Sequence, residues 1–83
     1  THYPAAAIEN GIVGRVTVRF VVERDGSVSG IEIIGGRELG GGLPEVAGQA
    51  VKILRHFAPG RQNGNTVRVF YSVPLNFQLE SSN

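Results

Sequence analysis

The sequence predicts an α+β domain in which two helices pack on one face of a three-stranded antiparallel sheet. Three observations lead to this prediction: a turn dipeptide between two β-branched runs, one segment with helical periodicity, and one segment of strict alternation. The chain has 83 residues, which suits one modest hydrophobic core. We therefore expect residues 1–83 to form a single domain.

The first helix is predicted over Tyr3–Asn10. Pro4 stands where the start of a helix tolerates proline, and Gly11 is the residue type favoured just past a helix C-terminus. Two turns of helix fit between these signals.

The dipeptide Asp25-Gly26 predicts a β-hairpin with a type I′ turn, in which both central residues have positive φ. This turn places Arg19 opposite Glu32 on one face of the hairpin. The other face is then apolar and forms part of the core, with Val16, Val18, Phe20, Val22, Ile31 and Ile33.

The second helix is predicted from Leu43 to Phe57, followed by Pro59. Its apolar residues recur at helical spacing and form one stripe: Leu43, Val46, Ala47, Ala50, Ile53, Leu54 and Phe57. Pro44 fits the first helical position. Gly48 in the interior costs about 1 kcal/mol relative to alanine.

The segment Val67–Leu79 predicts a long strand with one solvent-exposed face. Its alternate residues are apolar: Val67, Val69, Tyr71, Val73, Leu75, Phe77 and Leu79. Pro74 cannot donate to a ladder, which confines this strand to an edge or marks a bulge. A right-handed crossover through the second helix favours the strand order second, first, third. The alternative places the third strand beside the second in a parallel contact, which is less common in so small a sheet.

Composition argues against several classes of function. Eight Lys plus Arg against seven Asp plus Glu leave a net charge of +1, whereas a nucleic-acid-binding domain normally carries a clear basic excess. The chain has no cysteine and two histidines, His2 and His56, so we expect neither a disulfide framework nor a metal site. We also expect no cofactor. Because the chain begins at Thr1 without an initiator Met or signal segment, we expect a fragment of a longer protein.

Catalysis is not expected from the residues present. The only aspartate, Asp25, belongs to the hairpin turn, and His56 is predicted at a helix end, so a hydrolytic triad fails. The glutamates are scattered over different elements, whereas acid–base chemistry needs carboxylates that converge in a cleft.

Two binding alternatives follow from local patterns. The glycine-rich run 35–42 precedes a helix, but it lacks the Gly-Lys-Ser/Thr ending of a phosphate-binding loop. Arg61 and Arg68 with Phe70 and Tyr71 would suit a stacking platform for single-stranded nucleic acid, although the net charge is low.

The exposed edge of the last strand leaves two interpretations open. In the first, the edge binds no partner, and Arg68 and Pro74 protect it against aggregation. In the second, an extended peptide adds a strand to it by β-augmentation.

Motifs in both halves of the chain carry a family resemblance. They are Tyr3-Pro4 with Ala7, Gly14–Val22 leading into Asp25–Val28, and then Phe57–Gly64, Val67–Val69 and Val73–Phe77. In this order and spacing they resemble the C-terminal domain of TonB-type energy transducers, in the form typical of the Bacteroidetes branch. The resemblance covers nearly the whole chain.

The resemblance implies a non-enzymatic periplasmic domain, anchored to the inner membrane by an N-terminal helix and a proline-rich linker that this chain lacks. Such domains capture the TonB box of outer-membrane transporters by strand addition at the edge of their last strand. The resemblance also implies that an inner-membrane proton-driven motor complex acts through this N-terminal anchor. It displaces the plug of the transporter, so that siderophores, vitamins or glycans pass through the transporter.

The resemblance implies that seven residues bind the partner: Val67, Arg68, Val69, Phe70, Tyr71, Ser72 and Val73. Two features depart from the family pattern, because many relatives have Trp where this chain has Phe57, and the run Gly40–Gly42 looks looser than usual. A strand-exchanged homodimer is compatible with such a domain. The alternative is a TonB-like interaction domain of an envelope sensor or membrane metallopeptidase, with no transporter partner.

Overall fold

The computed structural model describes residues 3–53 and 57–79. Within them lie two α-helices and five strands: α1 (Ala5–Glu9), β1 (Gly14–Val22), β2 (Val28–Gly35), α2 (Leu43–Ile53), β3 (Gly60–Gln62), β4 (Asn65–Val67) and β5 (Val69–Phe77). A short 3-10 helix, Arg37–Leu39, connects β2 to α2. In the described part of the chain, none of the helices is long and apolar enough to cross a membrane.

Strand β1 lies at the centre of a three-stranded antiparallel sheet of order β2-β1-β5. This confirms the predicted α+β class and the predicted strand order. Strand β5 pairs with β1 along its whole length, from Gly14 opposite Phe77 to Val22 opposite Val69. Strands β3 and β4 form a separate two-stranded hairpin.

The core lies between the helices and one face of this sheet, which we call the core face. Its buried residues come from the central strand, both helices and the end of β5: Ala7, Val16, Val18, Phe20, Val22, Leu43, Ala47, Val51 and Phe77. The predicted apolar face of the hairpin is confirmed, since Ile31 and Ile33 also pack against this cluster. Val16, Val18, Phe20 and Val22 are buried together because alternate side chains of β1 point to the same face, and that face packs against the helices.

The predicted type I′ turn at Asp25-Gly26 is wrong. Gly26 has φ 86°, but Asp25 does not have positive φ. The Gly26 N–H donates to the carbonyl of Glu23 at 2.9 Å, and the Glu23 N–H donates to the carbonyl of Ser27 at 2.8 Å. This is a three-residue loop, a type I turn followed by a left-handed glycine.

The side chain of Asp25 gives the physical reason. Its Oδ1 accepts from the Ser27 N–H at 2.9 Å and from the Ser27 hydroxyl at 2.6 Å. These hydrogen bonds stabilise a turn in which Asp25 does not have positive φ. A bulge in β2 at Gly30, φ 59°, then restores the predicted pairing of Arg19 with Glu32, which form an ion pair.

The prediction of one strand over Val67–Leu79 is also wrong. The chain forms β4 up to Val67, leaves strand geometry at Arg68, and forms β5 from Val69 to Phe77. A type I′ turn does occur, at Asn63-Gly64, where the φ angles are 53° and 80°. This turn joins β3 to β4.

Both helices are shorter than predicted. Helix α1 spans Ala5–Glu9, with Pro4 as its extended N-cap residue. Helix α2 is described to Ile53, and the predicted helical residues 54–56, with His56 among them, lie outside the described residues. Phe57 was predicted to be helical but is not. Its N–H donates to the carbonyl of Gly26 at 3.3 Å. Pro59 also disfavours helical geometry in the residue just before it.

Candidate functional site

The outer edge of β5 is the candidate site. Strand β1 covers one side of β5 completely, and β5 is the last strand of the sheet. Across residues 3–53 and 57–79, no strand pairs with its other side. This agrees with the edge position that Pro74 predicts.

The position of Pro74 determines which backbone groups of β5 point outward. Pro74 lies opposite Thr17, and this pair cannot exchange two hydrogen bonds because proline has no N–H. The bonded and non-bonded pairs alternate along an antiparallel ladder, so the N–H groups of Phe70, Ser72 and Asn76 point away from β1.

The hairpin gives an independent check of this assignment. The N–H of Glu23 points toward β2, because it donates to Ser27. Successive N–H groups of a strand point to opposite sides, so Val22 and every second residue before it point toward β5. Val22 pairs with Val69, and therefore Val69, Tyr71 and Val73 bond to β1.

Strand β4 precedes β5 and also has one unpaired side in the described chain, because it pairs with β3 alone. The two-residue turn at Asn63-Gly64 makes Gln62 and Asn65 a bonded pair, so Asn65 and Val67 point toward β3. The chain leaves strand geometry at Arg68, so the alternation of β4 does not extend into β5.

The seven predicted site residues are not equivalent in the structure. Val67 ends β4, Arg68 lies between the two strands, and the other five belong to β5. Phe70 and Ser72 direct their backbone groups outward, whereas Val69, Tyr71 and Val73 direct theirs toward β1.

Side chains of β5 alternate between the two faces of the sheet. Tyr71 lies on the core face and stacks on Phe20, with ring centroids 5.9 Å apart. Phe70 lies on the opposite face, which we call the open face, and is 70% exposed. The two rings are therefore on opposite sides of the sheet and do not form the single stacking platform that nucleic acid would need.

Arg68 is held by an ion pair on the open face. Its Nε donates to Oε1 of Glu23 at 2.8 Å, and the hydroxyl of Ser29 donates to Oε2 of the same carboxylate. The Ser29 hydrogen bond, followed by the Arg68 interaction, lowers the pKa of Glu23 below its usual value. The Arg68 side chain is thus fixed at the β4–β5 joint.

The glycine-rich run has a packing role in this fold. A Cβ on Gly36, φ 85°, would lie 2.3 Å from the carbonyl oxygen of Arg15. A Cβ on Gly41 would lie 2.6 Å from Cδ1 of Ile12. These glycines let the connection pass close to β1 and to the chain after α1, and Leu39 between them packs against the core. In the described part of the chain, no group of three His, Asp or Glu side chains lies close enough to hold a metal ion.

An apolar trough lies beside the edge, on the core face between α2 and β5. It has a volume of about 490 Å³ and is lined by Phe20, Ala50, Val51, Ile53, Phe57, Val73 and Leu75. Sequence reasoning missed it because both walls were expected to be core. The sequence carries no signal for the trough: Ile53 belongs to the predicted buried stripe but is 70% exposed in the structure.

Comparison with known proteins identifies the family. The family model described as Gram-negative bacterial TonB protein C-terminal matches residues 1–79. The search of curated proteins found no match. Domains of the matched family are periplasmic interaction domains, not enzymes, and in general they interact with outer-membrane receptors. Since the match covers almost the entire chain and the fold agrees with it, the protein belongs to the TonB C-terminal domain family.

Proposed function

We propose that this domain captures the TonB box of outer-membrane transporters as an added β-strand on the outer edge of β4 and β5. The observation that supports this most directly is the outward direction of the Phe70 and Ser72 backbone groups on a strand that is paired on its other side only. An extended peptide gains main-chain hydrogen bonds from such an edge regardless of its side chains.

The capture transmits mechanical work derived from the proton-motive force, for nutrient uptake. In this proposal the domain is the C-terminal part of a longer protein, anchored in the inner membrane by an N-terminal segment. The inner-membrane motor complex pulls through that segment. Membership of the TonB C-terminal domain family supports this role.

The edge suits an affinity that allows release after each transport event. Pairing of five or six residues yields about 1 kcal/mol net for each main-chain hydrogen bond, less the cost of association. We therefore expect a dissociation constant on the order of micromolar.

Amide hydrogen exchange with a TonB-box peptide tests the proposal. The amides of Phe70 and Ser72 point outward and are expected to exchange rapidly in the free domain, whereas those of Tyr71 and Val73 are bonded to β1. Adding the peptide is expected to slow exchange at Phe70 and Ser72 by about tenfold or more, while Tyr71 and Val73 change little.

Two outcomes contradict the proposal. One is saturable peptide binding with chemical-shift changes confined to the glycine-rich run 35–42. The other is unchanged exchange at Phe70 and Ser72 at a peptide concentration well above the expected micromolar range. A scrambled peptide containing proline at alternate positions is the control, because it cannot pair as a strand.

A further inference from the structure

The trough between α2 and β5 exists because the helix is displaced from the edge strand. Helix α2 packs against β1 and β2. The core-face side chains of β5 are consequently less covered than those of β1. Val73 and Leu75 are half-buried, whereas Val18 and Val16, which pair with them, are fully buried.

The residues that line the trough are all apolar. Its floor is Phe20, which contacts Phe57 at a centroid distance of 5.4 Å. Its rim is Ile53, most of whose side chain is exposed. Concave apolar surface of this kind, about 490 Å³ in volume, falls in the range of sites that bind ligands.

The trough is continuous with the outer edge of β5. A strand added to that edge would lie about 4.8 Å from β5. Every second side chain of the added strand would stand on the core face, beside Val73 and Leu75, and would extend into the trough. The intervening side chains would stand on the open face beside Ser72 and Pro74, in contact with solvent.

We propose that the trough binds apolar side chains at alternate positions of the captured peptide, so that it adds sequence preference to main-chain pairing. This inference rests on the proposed function, because only strand addition brings those side chains to the trough. The volume accommodates more than one aliphatic side chain. The occupant is thus an extended peptide with Val, Ile or Leu at positions i and i+2.

Two peptides that differ only in these side chains test the inference. One is acetyl-Ser-Val-Ser-Val-Ser-Val-Ser-amide, and the other has threonine in place of each valine. Threonine keeps the β-branched shape and the strand propensity but places a hydroxyl in the trough. We expect the threonine peptide to bind the 83-residue chain at least about tenfold more weakly in a calorimetric or NMR titration.

Matched variants of the domain locate the effect. Ile53→Ser removes an apolar side chain at the rim of the trough, and Ile34→Ser makes the same change at an exposed residue of β2. Ile53→Ser is expected to reduce the preference for the valine peptide by about threefold or more, with the threonine peptide unaffected. Ile34→Ser is expected to leave the preference unchanged. Both residues are substantially exposed, so both variants should fold.

The possible results separate this inference from the proposed function. Equal affinity for the two peptides, with slowed exchange at Phe70 and Ser72, overturns the trough inference and leaves strand capture intact. Equal effects of Ile53→Ser and Ile34→Ser also overturn it. If neither the two peptides nor a TonB-box peptide slows exchange at Phe70 and Ser72, both the inference and the proposed function are wrong.

Discussion

The Glu23 carboxylate joins the end of the central strand to Arg68 at the β4–β5 joint, with Arg68 Nε 2.8 Å from Oε1 of Glu23. The two residues are 45 positions apart in the chain. The same carboxylate accepts from the Ser29 hydroxyl in β2, so one side chain connects three segments on the open face. This network holds the joint on the edge where we propose that the peptide binds.

Acid is expected to weaken the fold through Glu23. The Ser29 hydrogen bond and the Arg68 interaction lower the pKa of Glu23 in the folded state. A lowered folded-state pKa contributes stability that is present above the unfolded-state pKa, about 4.3, and is lost as pH falls through the folded-state value. Glu23→Gln is therefore expected to show a smaller fall in urea midpoint between neutral pH and pH near 3. An unchanged pH dependence in the variant would show that Glu23 is not responsible.

Ser72→Pro is expected to weaken peptide binding while leaving the fold largely intact. The Ser72 N–H points outward, as the missing N–H of Pro74 would, so the β1–β5 ladder keeps its hydrogen bonds. We expect at least about tenfold weaker binding of a TonB-box peptide by titration, because an outward donor is lost and the ring occupies the edge.

Two control variants define the Ser72→Pro result. Ser72→Ala keeps the N–H and is expected to bind normally. Val69→Pro removes an N–H that points toward β1 and is expected to lower stability by up to about 3 kcal/mol. Normal binding by Ser72→Pro would contradict the assigned edge.

Gly48→Ala is expected to stabilise the domain by about 1 kcal/mol. Gly48 lies inside α2 without positive φ, so alanine recovers helix propensity. A Cβ there would lie 3.9 Å from Cδ1 of Ile33 and 4.0 Å from Cγ2 of Ile31, which is ordinary contact. Urea or thermal unfolding measures the change. Gly36→Ala is the opposite control and should destabilise, because its Cβ would collide with the Arg15 carbonyl oxygen.

Phe20 and Phe70 are expected to differ sharply on truncation to alanine. Phe20 is 1% exposed and packs between Phe57 and Tyr71 in the core. Phe20→Ala is expected to cost about 3–5 kcal/mol and to leave so small a domain close to unfolding. Phe70→Ala, on the open face, is expected to change stability by less than about 0.5 kcal/mol. Comparable losses in urea unfolding would place Phe70 in a packed environment instead.

The strand order could be predicted from sequence because Pro74 places the last strand at an edge and a right-handed crossover through α2 makes that strand antiparallel to β1. The valines of β1 identify the core face, and Pro74 places β5 at an edge. Strand β3 could not be found this way. Its residues Gly60, Arg61 and Gln62 have no apolar alternation, and only the Asn63-Gly64 dipeptide marks the hairpin.

The turn types show where local rules are insufficient. Asp25-Gly26 and Asn63-Gly64 both favour a type I′ turn, yet only the second adopts it. The N–H and hydroxyl of Ser27 donate to the Asp25 carboxylate, and these bonds favour the three-residue loop over the type I′ turn. Asn63 forms its turn in an exposed hairpin.

The amino-acid sequence by itself determined the α+β class, the faces of the long strands, the edge position of β5 and the family resemblance, because these depend on spacing within short segments. Only the tertiary structure decided that Arg68 contacts Glu23, that β3 and β4 form a separate hairpin, and that α2 is displaced from β5 to create the trough. Those features depend on the lateral position of a helix on a sheet and on pairs far apart in the chain. Local periodicity specifies which face of an element is buried, but not which neighbour buries it.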